Sequence, residues 1–418
     1  GGGRTDSHGV VHNVAREDAA SWTGEMFFQA AKLITEMEYQ HLVFGEFARK
    51  LSPNVNAFAG YDITLDPAIT AEFAHAVYRF GHSMLTDEMA MLGFDATTGL
   101  VDGTDNSVGL IDAFLSPQQY VAGTTAGEVA LGMSQQAGNA IDEWVVDTLR
   151  NNLVGLPLDL ATLNIVRGRD AGIPSLNEVR TQLFDQTQMT TLKPYANWDE
   201  FGMHLLHPEA ILNFIMAYAR DEILTTFATP LSDVPNTVAY WDGLQSSDPT
   251  AYATALQAAG LAAFKDTDFM TGANHGHNAV DLWIGGLAEA KVEGGMLGST
   301  FDFVFAAQMI HLQNSDRFYY LNRLAGTNLL AEIEGQLFSD IAMRSTGVEH
   351  LYSDIFSVAD SHLEVADFTL NAYRTQMALS MATHTVVDAE GISRQIGSAG
   401  FVGDIFYGNS GNYLDARG

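Results

Sequence analysis

The sequence predicts an all-α protein with one mainly helical body and a short Gly/Asp-rich C-terminal extension that could contain β structure. Apolar residues recur at three- and four-residue steps through most of the chain, and strictly alternating runs are almost absent, which favours helices over strands. Hydrophobic residues make up 47% of the 418, which is enough for a sizeable core. After about residue 388 the helical pattern gives way to glycine, aspartate and asparagine.

We divide the chain into a polar lead-in (1–21), a helical body (22–387) and a Gly/Asp/Asn-rich transition (388–418). The lead-in begins Gly-Gly-Gly-Arg, an unusual natural start, and is expected to continue from a missing upstream part. Residues 407–418 resemble the first, degenerate turn of calcium-binding nonapeptide repeats. One turn cannot complete an ion site, so calcium is expected only in downstream repeats or in the missing part.

Charge and cysteine content exclude several classes of function. The formal net charge is −31, which disfavours binding to nucleic acid and to anionic membranes. The chain has no cysteine, so it can form neither a disulfide nor the thiolate ligands of some haems and of iron–sulfur clusters. No apolar run reaches the length of a transmembrane helix, and we recognise no signal peptide.

The spacing of apolar residues predicts the helices in order. A first helix covers about 22–50, and a second opens at Asp66-Pro67 with a buried face. That face carries Ile69, Phe73, Val77, Phe80 and Met84. An exposed loop is expected at 102–106 and a third long helix at about 125–151. Later helices are predicted near 175–185, 208–220, 249–264, 281–287 and 298–314.

The second helix contains a candidate metal ligand, His82. Arg79 precedes it by three residues and projects from the neighbouring turn on a similar side. A buried imidazole beside a guanidinium suits a planar anionic cofactor, because the ring nitrogen can ligate its metal while the arginine meets a peripheral carboxylate. The alternative is a core histidine with satisfied hydrogen bonds, and this helix alone leaves both interpretations open.

A second segment, 163–177, reads Leu-Asn-Ile-Val-Arg-Gly-Arg-Asp-Ala-Gly-Ile-Pro-Ser-Leu-Asn. Together with Tyr-Arg-Phe-Gly-His at 78–82, it resembles the animal haem peroxidases, the superfamily of myeloperoxidase, peroxidasin and the cyclooxygenases. Asp-Leu-Trp-Ile-Gly-Gly-Leu at 281–287 and Asp-Arg-Phe-Tyr-Tyr at 316–320 are similar to two further landmarks, in the same order. The variant Gly-Ile-Pro-Ser-Leu-Asn at 172–177, preceded by Ala171 where mammalian members usually carry histidine, resembles the secreted bacterial branch of the family.

The resemblance, which runs from about 22 to 356, implies haem b as cofactor and a role for each matching residue. His82 would be the proximal ligand of the haem iron, and Asn164 would accept a hydrogen bond from its free ring nitrogen. Arg79 and Arg167 would bind the haem propionates, since a guanidinium fork matches a carboxylate. We expect Arg169 and Asp170 to form an internal ion pair.

The distal side of such a site is not found in the sequence. The family uses a histidine beside a calcium-ligating aspartate and an arginine followed three residues later by glutamate. Here the residue three positions after Arg4 is Ser7, where the family has glutamate. His8 and His12 lack the Gly-Gln-Phe-x-x-His-Asp motif that surrounds the family's distal histidine, so we do not assign them a distal role. This chain is therefore expected to supply only the proximal haem side and to turn over slowly without the missing distal segment or chain.

Two other histidine pairs are interpreted as structural. His275 and His277, like His204 and His207, are spaced as metal ligands can be, but no third ligand suggests itself.

The leading hypothesis is a secreted bacterial haem peroxidase that reduces hydrogen peroxide and oxidises a halide or small organic donor. One alternative is a fatty-acid dioxygenase or cyclooxygenase-like enzyme, which needs an apolar channel and a radical tyrosine near the haem. Tyr78, Tyr319 and Tyr320 are available, but the sequence places none of them there. The other alternative is a structural module of a large surface protein that has lost its haem.

Overall fold

The computed structural model describes residues 22–97, 101–114, 116–120, 125–153 and 156–358, with the backbone of six short strands outside those ranges. Helices dominate this part of the chain, so the predicted all-α fold is confirmed. None of the described helices is both long and apolar enough to cross a membrane.

The body is a succession of α-helices joined by short turns. The α-helices are Gly24–Leu42, Arg49–Leu51, Ala71–His75, Gly81–Met84, Leu110–Ala113, Thr125–Gln135, Asp147–Asn151, Leu160–Asp170, Leu176–Thr187, Trp198–Met203, Ile211–Tyr218, Arg220–Phe227, Val238–Ser247, Pro249–Phe264, Thr267–Thr271, Leu282–Ala288, Ser299–Ser315, Tyr320–Arg323, Asn328–Glu334 and Phe338–Thr346. The first α-helix is followed by a π-helix, Val43–Ala48. The 3₁₀ turns among the described residues are Val77–Phe80, Pro117–Tyr120, Thr190–Leu192, Pro208–Ala210 and His277–Ala279.

All the described strands belong to two-stranded antiparallel ladders. Their pairings are Arg4–Thr5 with Val11–His12, Glu88–Met89 with Val108–Gly109, Leu92–Phe94 with Val101–Asp105, Ser361–His362 with Tyr407–Gly408, and Thr385–Val387 with Ser393–Gln395. The last two ladders contain strand residues of the predicted C-terminal transition, whose other residues lie outside the described ones. Its boundaries, and those of the lead-in, remain predictions.

The predicted exposed loop at 102–106 was wrong in form. Its first four residues belong to the strand Val101–Asp105, although their side chains are exposed as expected. Gly103 has a φ of 84°, a conformation that glycine adopts without steric cost, and it lies where the register of the ladder shifts.

The third long helix, predicted over 125–151, is in fact two helices. Thr125–Gln135 ends before Gly138, and Asp147–Asn151 begins a separate helix. Between them the backbone N–H of Asn139 donates to Met84 O, and its side-chain amide donates to Leu85 O, at 2.9 and 2.7 Å. These contacts compete with helical hydrogen bonds and draw the chain against residues that follow His82.

The second predicted helix starts later than expected and is interrupted. Thr70 caps the helix Ala71–His75, and Ala76 then leaves helical geometry, with φ −130° and ψ −67°. A 3₁₀ turn and the helix Gly81–Met84 complete what we call the histidine segment, Ala71–Met84. Phe73, Val77 and Phe80 are buried as predicted. Ile69, which precedes the segment, is exposed instead.

The first predicted helix is confirmed in position but not in burial. Gly24–Leu42, the π-helix and Arg49–Leu51 together cover the expected range. Its apolar residues do not all face the core, because Phe27, Ile34 and Tyr39 are exposed. An apolar stripe on this helix therefore faces away from the described body.

The larger of two core clusters among the described residues includes the helix Leu282–Ala288, which we call the tryptophan helix. The smaller cluster contains Phe94, Leu131 and Val348. All residues of the tryptophan helix except Ile284 are buried. A Cβ added at Gly286 would lie 2.1 Å from Cε1 of Phe301 on the helix Ser299–Ser315. Because a Cβ and the Phe301 ring cannot both occupy that space, the absence of a side chain at Gly286 allows these two helices to pack closely.

A buried ion pair joins the tryptophan helix to its neighbours. Arg180 and Glu289 are 2% and 1% exposed, and Arg180 Nη1 lies 2.7 Å from Glu289 Oε1. The other donors of the guanidinium reach backbone oxygens such as Lys193 O. Glu289 also accepts from the hydroxyls of Tyr195 and Thr300. A buried pair of this kind is tolerated because its hydrogen-bonding groups are satisfied.

Replacing one partner of this pair is expected to destabilise the fold. Glu289→Gln leaves the Arg180 charge buried without a counter-charge, so the free energy of unfolding should fall by about 3–5 kcal/mol. Denaturant unfolding measures it. The control is Lys32→Gln, which removes an exposed pair with Glu36 and should cost less than about 1 kcal/mol. Equal effects of the two substitutions would contradict the assignment of a stabilising role to the buried pair.

Candidate functional site

The histidine segment positions His82 by burying the residues just before it. Val77 and Phe80 are almost fully buried, and the Phe80 ring packs edge-on against Phe305 with centroids 6.0 Å apart. The Ser83 hydroxyl donates to Phe80 O at 2.9 Å and fixes the turn. His82 itself is half-buried, so its ring is held at the edge of the core and not inside it.

Asn164 faces His82 from the helix Leu160–Asp170, which we call the asparagine helix. Asp159 caps this helix by accepting hydrogen bonds from the backbone of Ala161 and Thr162. Asn164 is only 1% exposed, and its Nδ2 lies 2.8 Å from His82 Nδ1. This distance lies within the range of a hydrogen bond. The structure thus brings together the two residues that the sequence analysis paired, while their roles remain predictions.

The orientation of the Asn164 amide differs from the expected one. We expected its oxygen to accept from the imidazole, but Oδ1 instead accepts a hydrogen bond from Arg79 Nη1 at 3.3 Å. The amide nitrogen is consequently turned toward His82 Nδ1. In this arrangement His82 Nδ1 is the acceptor and the ring proton belongs on Nε2.

The electrostatics of the site are set by burial and by two neighbouring cations. Burial lowers the pKa of His82, and the positive charge of Arg79 lowers it further. Burial and the nearby Arg167 also lower the pKa of Arg79. Within the described part of the chain neither guanidinium forms an ion pair, and Arg79 Nε is buried without a hydrogen-bond partner. In a chain of net charge −31, two such cations indicate a site for an anionic ligand.

The residues present fit haem in three respects. His82 Nε2 makes no hydrogen bond to any described residue, so this ring nitrogen has no protein partner and would be free for a metal once its proton moves to Nδ1. Arg79 and Arg167 supply cations for carboxylates. Leu163 is exposed one turn before Arg167 on the asparagine helix, and exposed Val166 lies one turn from Leu163, which gives an apolar surface next to a positive charge. A porphyrin has the same combination of an apolar face and an anionic edge.

The expected ion pair between Arg169 and Asp170 was wrong. Arg169 reaches away from the asparagine helix and binds Asp281 through both nitrogens of its fork, at 2.8 and 2.6 Å. Asp281 occupies the N-cap position of the tryptophan helix but makes no side-chain capping bond there, so both carboxylate oxygens are available for two parallel hydrogen bonds. Both motifs are recognisable in the sequence, but residues 112 positions apart give no sequence pattern that pairs them.

In the two other histidine pairs, His204, His207 and His275 contact protein oxygens, and His277 Nδ1 is buried without a hydrogen-bond partner among the described residues. His275 Nδ1 lies 2.5 Å from Glu222 Oε1, and His277 is buried near Trp198. His204 Nδ1 contacts Glu200 O at 2.7 Å. His207 Nε2 lies 3.2 Å from Asp142 Oδ2. Among the described residues, no group of three or more His, Asp or Glu side chains is arranged to hold a metal ion.

An apolar groove of about 920 Å³ opens beside the histidine segment. Tyr78, which precedes His82 by four residues, lines it and is 62% exposed. The opposite walls come from the end of the first helix, from the π-helix Val43–Ala48 and from the helix Ser299–Ser315. They include Val43, Phe44, Phe47, Phe305, Met309 and Leu312.

A sequence model of the animal haem peroxidase family matches residues 8–225 and 273–356, more than half of the chain. The chain belongs to the animal haem peroxidase family. A peroxidasin homolog from Caenorhabditis briggsae is 22% identical over 329 residues, covering 75% of this chain and 20% of the relative. Peroxinectin A from Dictyostelium discoideum is 24% identical over 331 residues, covering 77% and 48%. The chain thus spans less than half the length of these two relatives.

Solved structures agree on the animal haem peroxidase fold. Peroxidase A from Dictyostelium discoideum superposes with a TM-score of 0.55 at 20% identity, covering 81% of this chain and 52% of that one. A fatty acid alpha-dioxygenase from Arabidopsis thaliana gives a TM-score of 0.51 at 16% identity, covering 85% and 53%. The segment 226–272, unmatched by the family model, contains the helices Val238–Ser247 and Pro249–Phe264, which pack on Arg220–Phe227.

His82 in the haem-free chain is expected to titrate below its ordinary pKa of about 6.5, because burial and Arg79 both disfavour the charged ring. The pKa is measured from the pH dependence of the His82 ring signals in NMR. Arg79→Met removes the neighbouring charge and should raise the pKa of His82. The control, Arg317→Met at an exposed position, should leave it unchanged. A midpoint at or above about 6.5 in the unmodified chain would contradict this description of the site.

Proposed function

We propose that this chain is the proximal, haem-binding part of a haem-dependent peroxidase that reduces hydrogen peroxide and oxidises a halide or small organic donor. The observation that carries the proposal is the 2.8 Å contact between His82 and Asn164 beside two arginines that lack acidic partners among the described residues. Haem b supplies the redox chemistry when bound. The chain's own residues hold, orient and neutralise that group.

His82 ligates the haem iron through Nε2, and Asn164 orients the ring through Nδ1. For Nε2 to offer a lone pair, the ring proton must move to Nδ1. The amide oxygen of Asn164 must then accept a hydrogen bond from that N–H group. A half-turn of the amide brings this about. One carbonyl oxygen has two lone pairs, so Asn164 Oδ1 could accept from both Arg79 and His82 after a small shift of either donor.

Arg79 and Arg167 bind the haem propionates. Arg79 is half-buried, so its charge is less screened by water than that of an exposed arginine. Arg167 is exposed and lies on the same side of the asparagine helix as Leu163, four residues earlier. One clamp is thus held near the iron ligand and the other at the open edge of the site.

The base and the cation that act on peroxide are supplied by a distal segment outside this sequence, in the same polypeptide or in a partner chain. Arg4, His8 and His12 do not form the family's distal pattern. The exposed apolar stripe of Phe27 and Ile34 on the first helix suits contact with such a segment. We also propose that the protein is extracellular and of the bacterial branch, with calcium bound in the distal segment or in downstream repeats.

A fatty-acid dioxygenase is a second candidate because of the apolar groove beside Tyr78. Its volume of about 920 Å³ and its aromatic lining suit a long apolar substrate. Tyr78 lines the groove and is four residues from His82 in sequence. An oxidised phenol at this position would therefore face a substrate in the groove. Oxidation of a fatty acid with dioxygen, after activation by a trace of peroxide, is the activity that would set this candidate apart from a peroxidase.

Haem titration tests the ligand and its clamps. The chain is expected to take up haem with a Soret absorbance band, and His82→Ala should abolish the histidine-ligated spectrum. Arg79→Met and Arg167→Met should each weaken binding by roughly 10–100-fold, the effect of a lost charged hydrogen bond of about 1.5–3 kcal/mol. The control, His204→Ala, removes an exposed histidine and should bind as the unmodified chain does. Absence of haem uptake would contradict the proposal and favour a structural module without haem.

Steady-state assays test the distal assignment. Without positioned acid–base groups, peroxide cleavage should be slower by about 10²–10⁴-fold than with them, so the haem-loaded chain alone should turn over slowly. Replacing His8 and His12 by alanine should not change this slow rate. Fast turnover that is lost in the double variant would show that one of these histidines performs the distal role and that our assignment is wrong.

A further inference from the structure

The carboxylate of Asp281 makes no capping hydrogen bond to the helix that follows it and binds other side chains instead. Besides the two bonds to Arg169, its Oδ2 accepts a hydrogen bond from the Tyr218 hydroxyl at 2.7 Å. The backbone N–H of Asp281 donates back to the same hydroxyl at 3.3 Å. The Asp281 side chain is 15% exposed, although that of Arg169 is 61% exposed. These contacts fix the carboxylate from two directions.

The tryptophan helix, which begins next to Asp281, also touches the other half of the site. Trp283 is 2% exposed, and its Nε1 donates to the backbone oxygen of Arg79 at 3.3 Å. The close approach at Gly286 leaves this helix little room to shift against its surroundings. One rigid helix therefore contacts the histidine segment through Trp283 and the asparagine helix through Asp281.

We propose that Asp281 is a positioning residue that sets the placement of Asn164 against His82. The proposal rests on the haem-ligand function proposed above. An exposed ion pair usually contributes little, but a bidentate pair with one half-buried carboxylate specifies geometry as well as energy. Without the Arg169 fork, the C-terminal end of the asparagine helix loses its side-chain link to the start of the tryptophan helix. The backbone bond from Leu176 N–H to Val280 O is then left to hold the two segments together there. Asn164, about one and a half turns earlier in the asparagine helix, then loses a fixed distance to the imidazole.

The effect is transmitted through the helices and not by direct contact. The side-chain hydrogen bonds of Asp281 go to Arg169 and Tyr218, and none goes to His82, Asn164 or Arg79. Burial and Arg79 are the main influences on the pKa of His82, and Asp281 is not among the groups that shift it. A change at His82 after substitution of Asp281 therefore reports a change of position.

The chain offers a matched control in a second arginine, tyrosine and aspartate cluster. Arg220 donates to the Tyr252 hydroxyl at 2.7 Å and to Asp242 at 2.5 Å. Asp242→Asn removes the same charge from a carboxylate that is more exposed than that of Asp281, in a cluster whose side-chain hydrogen bonds do not reach the tryptophan helix. A change at His82 that follows Asp281→Asn and not Asp242→Asn is therefore attributed to the contacts of Asp281.

The first experiment measures the ¹⁵N NMR shifts of the His82 ring in the haem-free chain. Asn164→Ala is the reference for loss of the contact. Asp281→Asn should move the His82 signals part of the way toward that reference, whereas Asp242→Asn should leave them unchanged. If Asp281→Asn does not fold, Arg169→Lys keeps the charge at an exposed position but loses the fork, and it should shift the same signals. His82 signals that stay unchanged in both variants, while Asn164→Ala moves them, would overturn the proposal.

The second experiment uses the haem-loaded chain. Asn164→Ala should weaken haem binding by about 10–100-fold, as is typical when the partner of a metal-bound histidine is lost. Asp281→Asn should weaken binding less and shift the iron–histidine stretching band in the same direction, and Asp242→Asn should do neither. An unmodified chain that binds no haem would refute the proposed function alone, because the NMR experiment tests positioning without haem.

Discussion

The contact between His82 and Asn164 is the interaction on which the candidate site depends. It joins residues 82 positions apart, and each lies in a segment too short to be stable alone. Neither the four-residue helix Gly81–Met84, which carries His82, nor the asparagine helix could fix a side chain to within a hydrogen-bond length in isolation. Their placement comes from burial of Phe80 and Asn164 against a shared core, so the site is a product of tertiary packing.

A local excess of positive charge in a strongly acidic chain is the second constraint. Most carboxylates of the chain have no role in the site, and the described ion pairs place acids against other arginines, such as Arg180, Arg220 and Arg169. Arg79 and Arg167 remain without such partners among the described residues. Burial of Arg79 next to another cation is costly, and an anionic ligand would remove that cost. Ligand binding and stability of the site are therefore coupled.

Sequence patterns predicted the helices and the pairing of motifs, but not where the chain bends. The caps at Ser175, Asp248 and Gly298 start helices where expected, since capping is a local property. The break at Ala76 and the gap after Gln135 arise from contacts with distant segments. The spacing of apolar residues along the sequence does not predict such contacts. Arg169 paired with Asp281 and not with its neighbour for the same reason: a fork at the correct distance outweighs adjacency in sequence.

Burial is where periodicity failed most clearly. Ile69 and Tyr39 are exposed and line the groove beside the histidine segment, whereas Phe27 and Ile34 are exposed on the first helix outside it. The same pattern correctly placed Phe73 and Phe80 in the core on the other side of that segment. A helix with apolar residues all around requires contacts on every face. The described residues cover one face of the histidine segment, and the groove borders another, which is why Ile69 and Tyr78 are exposed there.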